Sequence, residues 1–187
     1  SNIHQAKMKQ LKIYSALLMC LFALSFTACS NDDSIGGSIG VINSHEWVDL
    51  GLSVKWATCN IGANSPEKNG DYFAWGEIEP KSSYTEGNCK TYGKTINDIF
   101  ANAKYDAACA NWGNSWRMPT KTEMQELKSN CTWQWTTTND VKGYKVTGPN
   151  GNSIFLPASG YYIKSSLKKA NSFCYYWTST VLYSQIR

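Results

Sequence analysis

Residues 112–123, WGNSWRMPTKTE, constrain the fold more than any other stretch, because they join a turn to the start of a helix. Gly113 and Asn114 tolerate positive φ and favour a tight turn. Thr120 is followed three residues later by Glu123, which is the Thr-x-x-Glu pattern of a capping box. The pattern predicts a helix that begins directly after the threonine.

The side chains around this helix start indicate how the stretch packs. Met124 and Leu127 share one face of the predicted helix. Trp112 and Trp116 bracket the turn, and large aromatic side chains usually belong to a core. We therefore expect a fold-defining corner in which Arg117 pairs locally. The alternative is that the corner contacts a ligand.

Residues 1–28 have the pattern of an export leader, and we expect them to take no part in the fold. A short basic region follows Met8, an apolar segment covers residues 13–26, and the small residue Ala28 precedes a cleavage position. The apolar segment is too short for a comfortable membrane span.

The residues around Cys29 refine this prediction. Residues 26–28 resemble a lipobox, the bacterial lipoprotein signal, with Phe26 in place of the usual Leu. The resemblance implies that Cys29 is acylated, and several acyl chains on one cysteine give a stable membrane anchor. The alternative is a plain secretory signal followed by a chance cysteine.

Residues 29–45 are expected to carry the lipid and to form a flexible tether. Asp32 and Asp33 follow Cys29 closely, and this acidic run resembles the surface-export signal of Bacteroidetes lipoproteins. It implies an outer-membrane protein exposed on the cell surface. The alternative is that the acids only keep the tether soluble.

Length and charge limit the remaining possibilities. The chain has 187 residues, which leaves about one domain after the leader. Its net charge of +4 includes three leader lysines, and without them 15 basic and 14 acidic side chains give +1. We therefore expect no nucleic-acid partner, which would require clustered lysine and arginine. Abundant Trp, Tyr, Gly, Asn, Ser and Thr favour short strands and many turns.

The third region, residues 46–187, alternates between extended and turn-forming stretches. A helix is predicted at 106–112 with Asp106 as its N-cap, and a long polar loop at 77–105. Gly148, Pro149, Asn150 and Gly151 predict a hairpin turn. Strands are predicted at 46–50, 54–59, 70–76, 132–136, 144–147, 153–156, 161–163 and 174–180.

Six blocks in a fixed order carry a family resemblance. They are 47–52 (WVDLGL), 56–60 (WATCN), 70–77 (GDYFAWGE), 112–120, 143–151 (GYKVTGPNG) and 176–180 (YWTST). Over residues 46–180 the chain resembles Bacteroidetes lipoproteins with a Fibrobacter succinogenes major paralogous (FISUMP) domain. The resemblance implies an α+β, C-type lectin-like domain, related to the sulfatase-modifying enzymes, with short antiparallel strands, one or two short helices and long loops. It implies no established activity.

The end of the chain departs from this family. Members of the family continue past the block at 176–180 with further strands, whereas this sequence stops at Arg187. We therefore expect the domain at 46–187 to be incomplete. In lectin-like domains the first and last strands pair, so the strand around Trp47 is expected to present an open edge.

Five cysteines remain after the leader and Cys29. Cys59 and Cys131 lie in blocks where the family often has cysteine, so the resemblance makes them the first disulfide pair to test. The alternative is buried free thiols. No CxxC spacing occurs, and we expect no metal and no cofactor.

The long loop is the ligand surface in lectin-like folds. The resemblance therefore makes Trp75, Glu77, Glu79 and Tyr84 candidates for ligand binding, since aromatic faces stack on sugars and carboxylates accept hydroxyl hydrogen bonds. The Ca²⁺-binding tripeptides Glu-Pro-Asn and Trp-Asn-Asp are absent, which disfavours a Ca²⁺-dependent lectin. Trp133 and Trp135 share one strand face and are expected in the core.

Catalysis has little support in the sequence. After processing, His45 is the only histidine, and it lies at the edge of the domain. We predict no catalytic residue. The expected function is binding of a glycan or a surface protein; the alternatives are an enzyme related to sulfatase-modifying factors, and a non-catalytic scaffold or fragment.

Overall fold

The computed structural model describes residues 38–180, which form an α+β fold with three small antiparallel sheets. The predicted leader, Cys29 and most of the predicted tether lie outside these residues. The elements are β1 (Ile39–Ile42), β2 (His45–Val48), β3 (Trp56–Ala57), a 3-10 turn (Glu86–Asn88), α1 (Ala107–Trp112), α2 (Lys121–Asn130), β4 (Thr132–Thr138), β5 (Val141–Thr147), β6 (Ser153–Pro157), β7 (Tyr161–Ile163) and β8 (Ser166–Lys168).

The first sheet has the strand order β1-β2-β3. Asn43 and Ser44 join β1 to β2 with φ angles of 50° and 65°, and two consecutive positive φ values match the right-handed twist of a hairpin. Gly40 lies opposite Trp47, whose indole occupies the space that a side chain at position 40 would take. A glycine in β1 is thus covered by an aromatic ring from β2.

This sheet corrects two predictions. Residues 39–42 were expected in a flexible tether, but they form a strand. The strand around Trp47 was expected to present an open edge, but β2 pairs with β1 on one side and β3 on the other. The reason is the hairpin turn at Asn43 and Ser44, which folds the preceding residues back onto β2.

The second sheet, β4-β5-β6, is the larger one. Asn139 and Asp140 make the turn between β4 and β5 with φ angles of 47° and 63°. The hairpin turn predicted between β5 and β6 is confirmed, and the Gly151 N–H donates to the Gly148 carbonyl at 3.0 Å.

One face of this sheet packs against α2 and the residues after β2. Leu50, Leu127 and Val146 are fully buried there, and Trp133 packs against them, as predicted. Trp135 was also expected in the core, but its side chain is 42% exposed. It lies farther along β4 than Trp133, and its ring meets Tyr144 edge to face with 4.8 Å between centroids, a contact that covers only part of the indole.

The corner at residues 112–123 is structural, as expected. The Thr120 side chain accepts from the Glu123 N–H at 3.2 Å, and the Glu123 carboxylate accepts from the Thr120 N–H at 2.8 Å, which completes the capping box. Trp112 and Trp116 meet edge to face at 5.0 Å in a second, smaller core cluster. Arg117 binds both oxygens of Glu123, at 2.6 and 2.8 Å.

The ion pair makes stability depend on pH. The hydrogen bonds from Arg117 lower the pKa of Glu123, and the Thr120 N–H adds to the effect. The unfolded chain therefore takes up the proton first. The stabilisation is complete above the ordinary glutamate pKa of about 4.3 and is lost as the pH falls through the lower pKa of the folded state.

We expect Glu123→Gln to lower the free energy of unfolding by about 1 kcal/mol at pH 7, and the difference from wild type to shrink below about pH 4. Urea denaturation at several pH values measures both. Glu79→Gln, on an exposed loop, is the control and should change the free energy of unfolding at pH 7 by less than about 0.5 kcal/mol. A pH-independent deficit in Glu123→Gln would contradict the assignment.

Residues 70–76 do not form the predicted strand. Their carbonyl groups accept hydrogen bonds from side chains instead of from a neighbouring strand. The Phe73 carbonyl accepts from Trp177 Nε1 at 2.8 Å, and the Trp75 carbonyl accepts from Thr91 Oγ1 at 2.5 Å. These donors come from distant or irregular segments, so the local sequence of residues 70–76 did not reveal them.

Candidate functional site

The structure uses most of the predicted ligand-binding set to hold the long loop together. The Trp75 indole N–H donates to the Thr178 carbonyl at 2.9 Å. Glu77 is buried, and its carboxylate lies 2.8 Å from Lys81 Nζ. The Tyr84 hydroxyl accepts from the Lys81 N–H at 2.9 Å. Glu79 alone of the four is exposed.

The carboxylate of Glu77 is committed to these internal partners. Burial has the largest effect on its pKa and raises it, but the combined hydrogen bonds from Lys81 and from the Lys90 N–H outweigh burial, so the pKa lies below its usual value. The Lys90 N–H donates to it at 2.6 Å. A sugar hydroxyl would have to displace one of these donors.

The exposed aromatic surface lies elsewhere, at residues 173–177. The side chains of Phe173, Tyr175 and Trp177 are 50%, 54% and 55% exposed, whereas Cys174 and Tyr176 point inward and are partly buried. We call the three exposed side chains the aromatic strip. The backbone alternates like a strand, but residues 174–180 belong to no ladder within the described chain, so the strand predicted there is wrong.

Hydrogen bonds from inward-facing groups hold this segment instead of a ladder. The Tyr176 hydroxyl donates to the Pro157 carbonyl at the end of β6, at 3.0 Å, and burial raises the pKa of this phenol strongly. The carbonyl of Thr178 accepts the indole N–H of Trp75. Trp75, which was predicted to bind the ligand, therefore holds the backbone next to the aromatic strip.

The rings of the strip are held by their neighbours. Tyr175 meets Tyr161 of β7 edge to face, with 5.0 Å between ring centroids. Phe173 lies 6.0 Å from Tyr175, and the Nζ atom of Lys169 lies 5.7 Å from the Phe173 ring centroid. The Trp177 indole N–H donates to the Phe73 carbonyl. Each ring thus has a defined place and leaves about half of its surface to solvent.

A cavity of about 400 Å³ opens on the face of the second sheet away from the main core. It contains one carboxylate, one ammonium group and four hydroxyls. Its lining comprises Glu46, Thr58, Pro66, Thr136, Thr138, Lys145, Ser153, Ile154 and Phe155. The Phe155 ring lies over Gly143, where a side chain would come within 2.7 Å of it. The recess thus combines scattered polar groups with a single aromatic ring.

The five cysteines of the described residues are all free thiols. Cys59 and Cys131 are among them, and their pairing as a disulfide stays a prediction. Burial raises the pKa of Cys174 to about 11, and it also raises those of Cys109 and Cys131, with smaller contributions from nearby carboxylates. High pKa values disfavour the thiolate, which is the nucleophilic form.

His45 packs inside the smaller core cluster. Its ring stacks on Trp112 at 4.2 Å, with 19° between the planes, and meets the edge of Trp116 at 6.2 Å. Across residues 38–180, no three His, Cys, Asp or Glu side chains are grouped so that they could hold a metal ion. No helix in that part of the chain combines the length and apolar character needed to cross a membrane.

In comparisons with protein-family models, with curated proteins and with solved structures, no match to this chain was found. The resemblance to FISUMP domains, the acylation of Cys29 and the outer-membrane location therefore stay predictions. The α+β class rests on the structure itself.

The sequence contains a signal for the aromatic strip, although the long loop was predicted to carry the ligand surface. Phe173, Tyr175 and Trp177 recur at every second position, which places them on one side of an extended backbone. The inward residues Tyr176 and Cys174 have a similar apolar character. Composition therefore gave no way to decide which side faces solvent.

Proposed function

We propose that this protein is a glycan-binding module of the cell surface, and that the aromatic strip is its binding site. The observation that carries the proposal is the exposure of Phe173, Tyr175 and Trp177 along one extended segment. Exposed aromatic groups that adjoin one another are typical of binding surfaces.

The chemistry of the strip suits a sugar chain. Aromatic faces offer apolar area to the C–H faces of sugar rings, and a tyrosine hydroxyl can exchange hydrogen bonds with sugar hydroxyls. Side chains two residues apart on an extended backbone are separated by about 6.6 Å, so the strip presents rings at regular intervals. Because Tyr175 and Trp177 are held by other groups, little ordering is needed when a ligand binds.

The same proposal includes the fold family and the cellular location of the protein. The domain is a FISUMP-like member of the C-type lectin-like folds, and the small antiparallel sheets and long loop of the described residues are compatible with that fold. The protein is anchored through Cys29 in the outer membrane and faces outward. The long loop does not bind the glycan in this proposal. It stabilises the site, because Trp75 holds the segment that carries the binding surface.

A surface protein is the other ligand that the sequence leaves open. The aromatic strip is narrow and its rings alternate with inward side chains, which suits a linear chain better than a broad protein interface. An enzymatic role has less support, since the raised pKa values of Cys109 and Cys174 disfavour a reactive thiolate.

We expect Trp177→Ala to weaken glycan binding about tenfold, which corresponds to about 1.4 kcal/mol, because the change removes the largest exposed apolar face of the strip. A glycan array with full-length protein in non-ionic detergent identifies the ligand, and titration calorimetry measures the change. Trp135→Ala is the matched control: it also removes a half-exposed tryptophan, but on β4, outside the strip.

The outcome is read alongside thermal unfolding of each variant. Loss of binding in Trp177→Ala but not in Trp135→Ala, with both variants folded, supports the strip as the site. Equal losses of glycan affinity in both variants would indicate non-specific binding to exposed aromatic side chains. Binding only to proteins, by the folded wild type, would replace the glycan with a protein partner.

A further inference from the structure

The charge of the chain is distributed unevenly. All 14 acidic residues lie at or before Asp140, whereas residues 141–187 contain five lysines, one arginine and no acid. Such asymmetry indicates an anionic partner when the cations gather at one surface. The aromatic strip belongs entirely to this acid-free part of the sequence.

Two of the lysines flank the strip. Lys168 on β8 lies directly opposite Tyr161 on β7, and Tyr161 contacts Tyr175 of the strip. Lys169 lies over the ring of Phe173. Its φ angle is 59°, and its carbonyl accepts the N–H groups of Ser172 and Phe173 at 3.1 Å each, so a tight turn fixes it beside the strip.

Both lysines are exposed, and neither has a carboxylate partner within residues 38–180. Their charges are therefore available to a ligand that lies on the rings. A sugar carrying sulfate or carboxylate groups can stack on the aromatic faces while its charged groups pair with the two ammonium groups.

We propose that the aromatic strip, together with Lys168 and Lys169, binds an anionic polysaccharide. This inference rests on the proposed function, because the rings provide the contact with the sugar and the lysines select its charge. The selectivity arises because a neutral chain gains only the stacking contacts, whereas a sulfated or uronic chain gains both.

The orientation of Trp177 favours a polysaccharide over a lipid surface. A tryptophan at a membrane interface presents its indole N–H to the polar headgroups. In this structure the indole N–H of Trp177 donates to the Phe73 carbonyl at 2.8 Å, which leaves the apolar ring as the exposed part. An apolar indole face in the same strip as the Phe173 ring, which Lys169 approaches, matches a charged sugar.

The test compares dextran sulfate with dextran, which share one backbone and differ in the sulfate groups. Full-length protein in non-ionic detergent micelles is titrated with each polymer. We expect tighter binding of dextran sulfate, and the double variant Lys168→Gln/Lys169→Gln should weaken it about tenfold, because it removes two exposed charge pairs that each contribute modestly to affinity. Added salt should reduce the difference between the polymers.

The matched control is Lys121→Gln/Lys128→Gln, which removes the same charge from the exposed face of α2. It should change affinity for dextran sulfate less than twofold. Equal weakening by the two double variants would mean that only net charge matters, and this would overturn the inference. Lack of binding of dextran sulfate by folded wild type would overturn it as well.

The two proposals fail in different ways. If Trp177→Ala weakens binding of both polymers while the Lys168 and Lys169 changes have no effect, glycan binding stands and charge selection fails. If the lysine changes weaken binding but Trp177→Ala does not, the proposed site fails. If phosphatidylglycerol added to the micelles displaces dextran sulfate, the surface prefers lipid, and the inference is overturned.

Discussion

Asp106→Ala is expected to lower the free energy of unfolding by about 4 kcal/mol. The side chain is fully buried, and its two oxygens accept hydrogen bonds from four backbone N–H groups. These belong to Ala101, Ala108, Cys109 and Met118, at 3.0 to 3.2 Å. Alanine would leave all four donors without their partner and would remove the N-cap of α1.

The large effect arises because one carboxylate connects three segments. It joins the end of the long loop, the first turn of α1 and the corner before α2. Unfolding in urea, followed by tryptophan fluorescence, measures the loss. Asp106→Asn, which keeps the shape but not the charge, is expected to cost about half as much, because an amide presents one acceptor oxygen in place of two.

Asp98→Ala is the control for this prediction. The Asp98 carboxylate is exposed, and among residues 38–180 its one hydrogen-bond donor is the Phe100 N–H, at 2.9 Å. Its replacement should cost less than about 1 kcal/mol. A similar, small loss in Asp98→Ala and Asp106→Ala would show that the buried carboxylate does not organise the three segments.

Gly148→Ala is expected to destabilise the fold by about 3 kcal/mol. A Cβ atom at this position would collide with the carbonyl group of Leu50 and lie 2.8 Å from the Leu50 side chain. Leu50 is fully buried and cannot move aside. The neighbouring Asp49 carbonyl is held by Asn150 and Asn152, whose side-chain amides donate to it at 2.9 and 2.8 Å.

The hairpin turn at 148–151 therefore packs against the residues after β2 and holds them in place, although the two segments are far apart in the sequence. Gly87→Ala is the matched control, because no atom lies within 4 Å of a Cβ at that position and its φ is ordinary. We expect it to be neutral or slightly stabilising. Both variants are compared by thermal unfolding. Equal melting temperatures would contradict the close packing of the turn against Leu50.

Features that depend on neighbouring residues were predictable from the sequence. The capping box of Thr120 and Glu123, the N-cap Asp106 and the hairpin turn at 148–151 all form as expected. Each is determined by contacts within a few residues, so the pattern contains the information needed. The turn at Asn43 and Ser44 is equally local, and it was missed because the residues before it were expected to form a tether.

The candidate site was predicted less well. The long loop drew attention to Trp75, Glu77 and Tyr84, but these residues hold the loop in place. The partner of Trp75, the Thr178 carbonyl, lies about a hundred residues away in the sequence. Glu77 and Tyr84 have partners within the loop, Lys81 and Lys90, but the loop is irregular and no periodic pattern indicates which side chains meet. A strand was predicted at 174–180; it does not form, and the exposed aromatic side chains of this segment were not identified as a binding surface.

The sequence by itself determined the hairpin turn at 148–151, the caps, the two helices and the alternation of aromatic residues near the end of the described chain. Only the tertiary structure decided that Tyr176 turns inward to the Pro157 carbonyl while Tyr175 and Trp177 face solvent. The physical reason is that both sides of this segment are aromatic. The choice between them depends on which side finds a buried hydrogen-bond partner, and that partner is supplied by the end of β6.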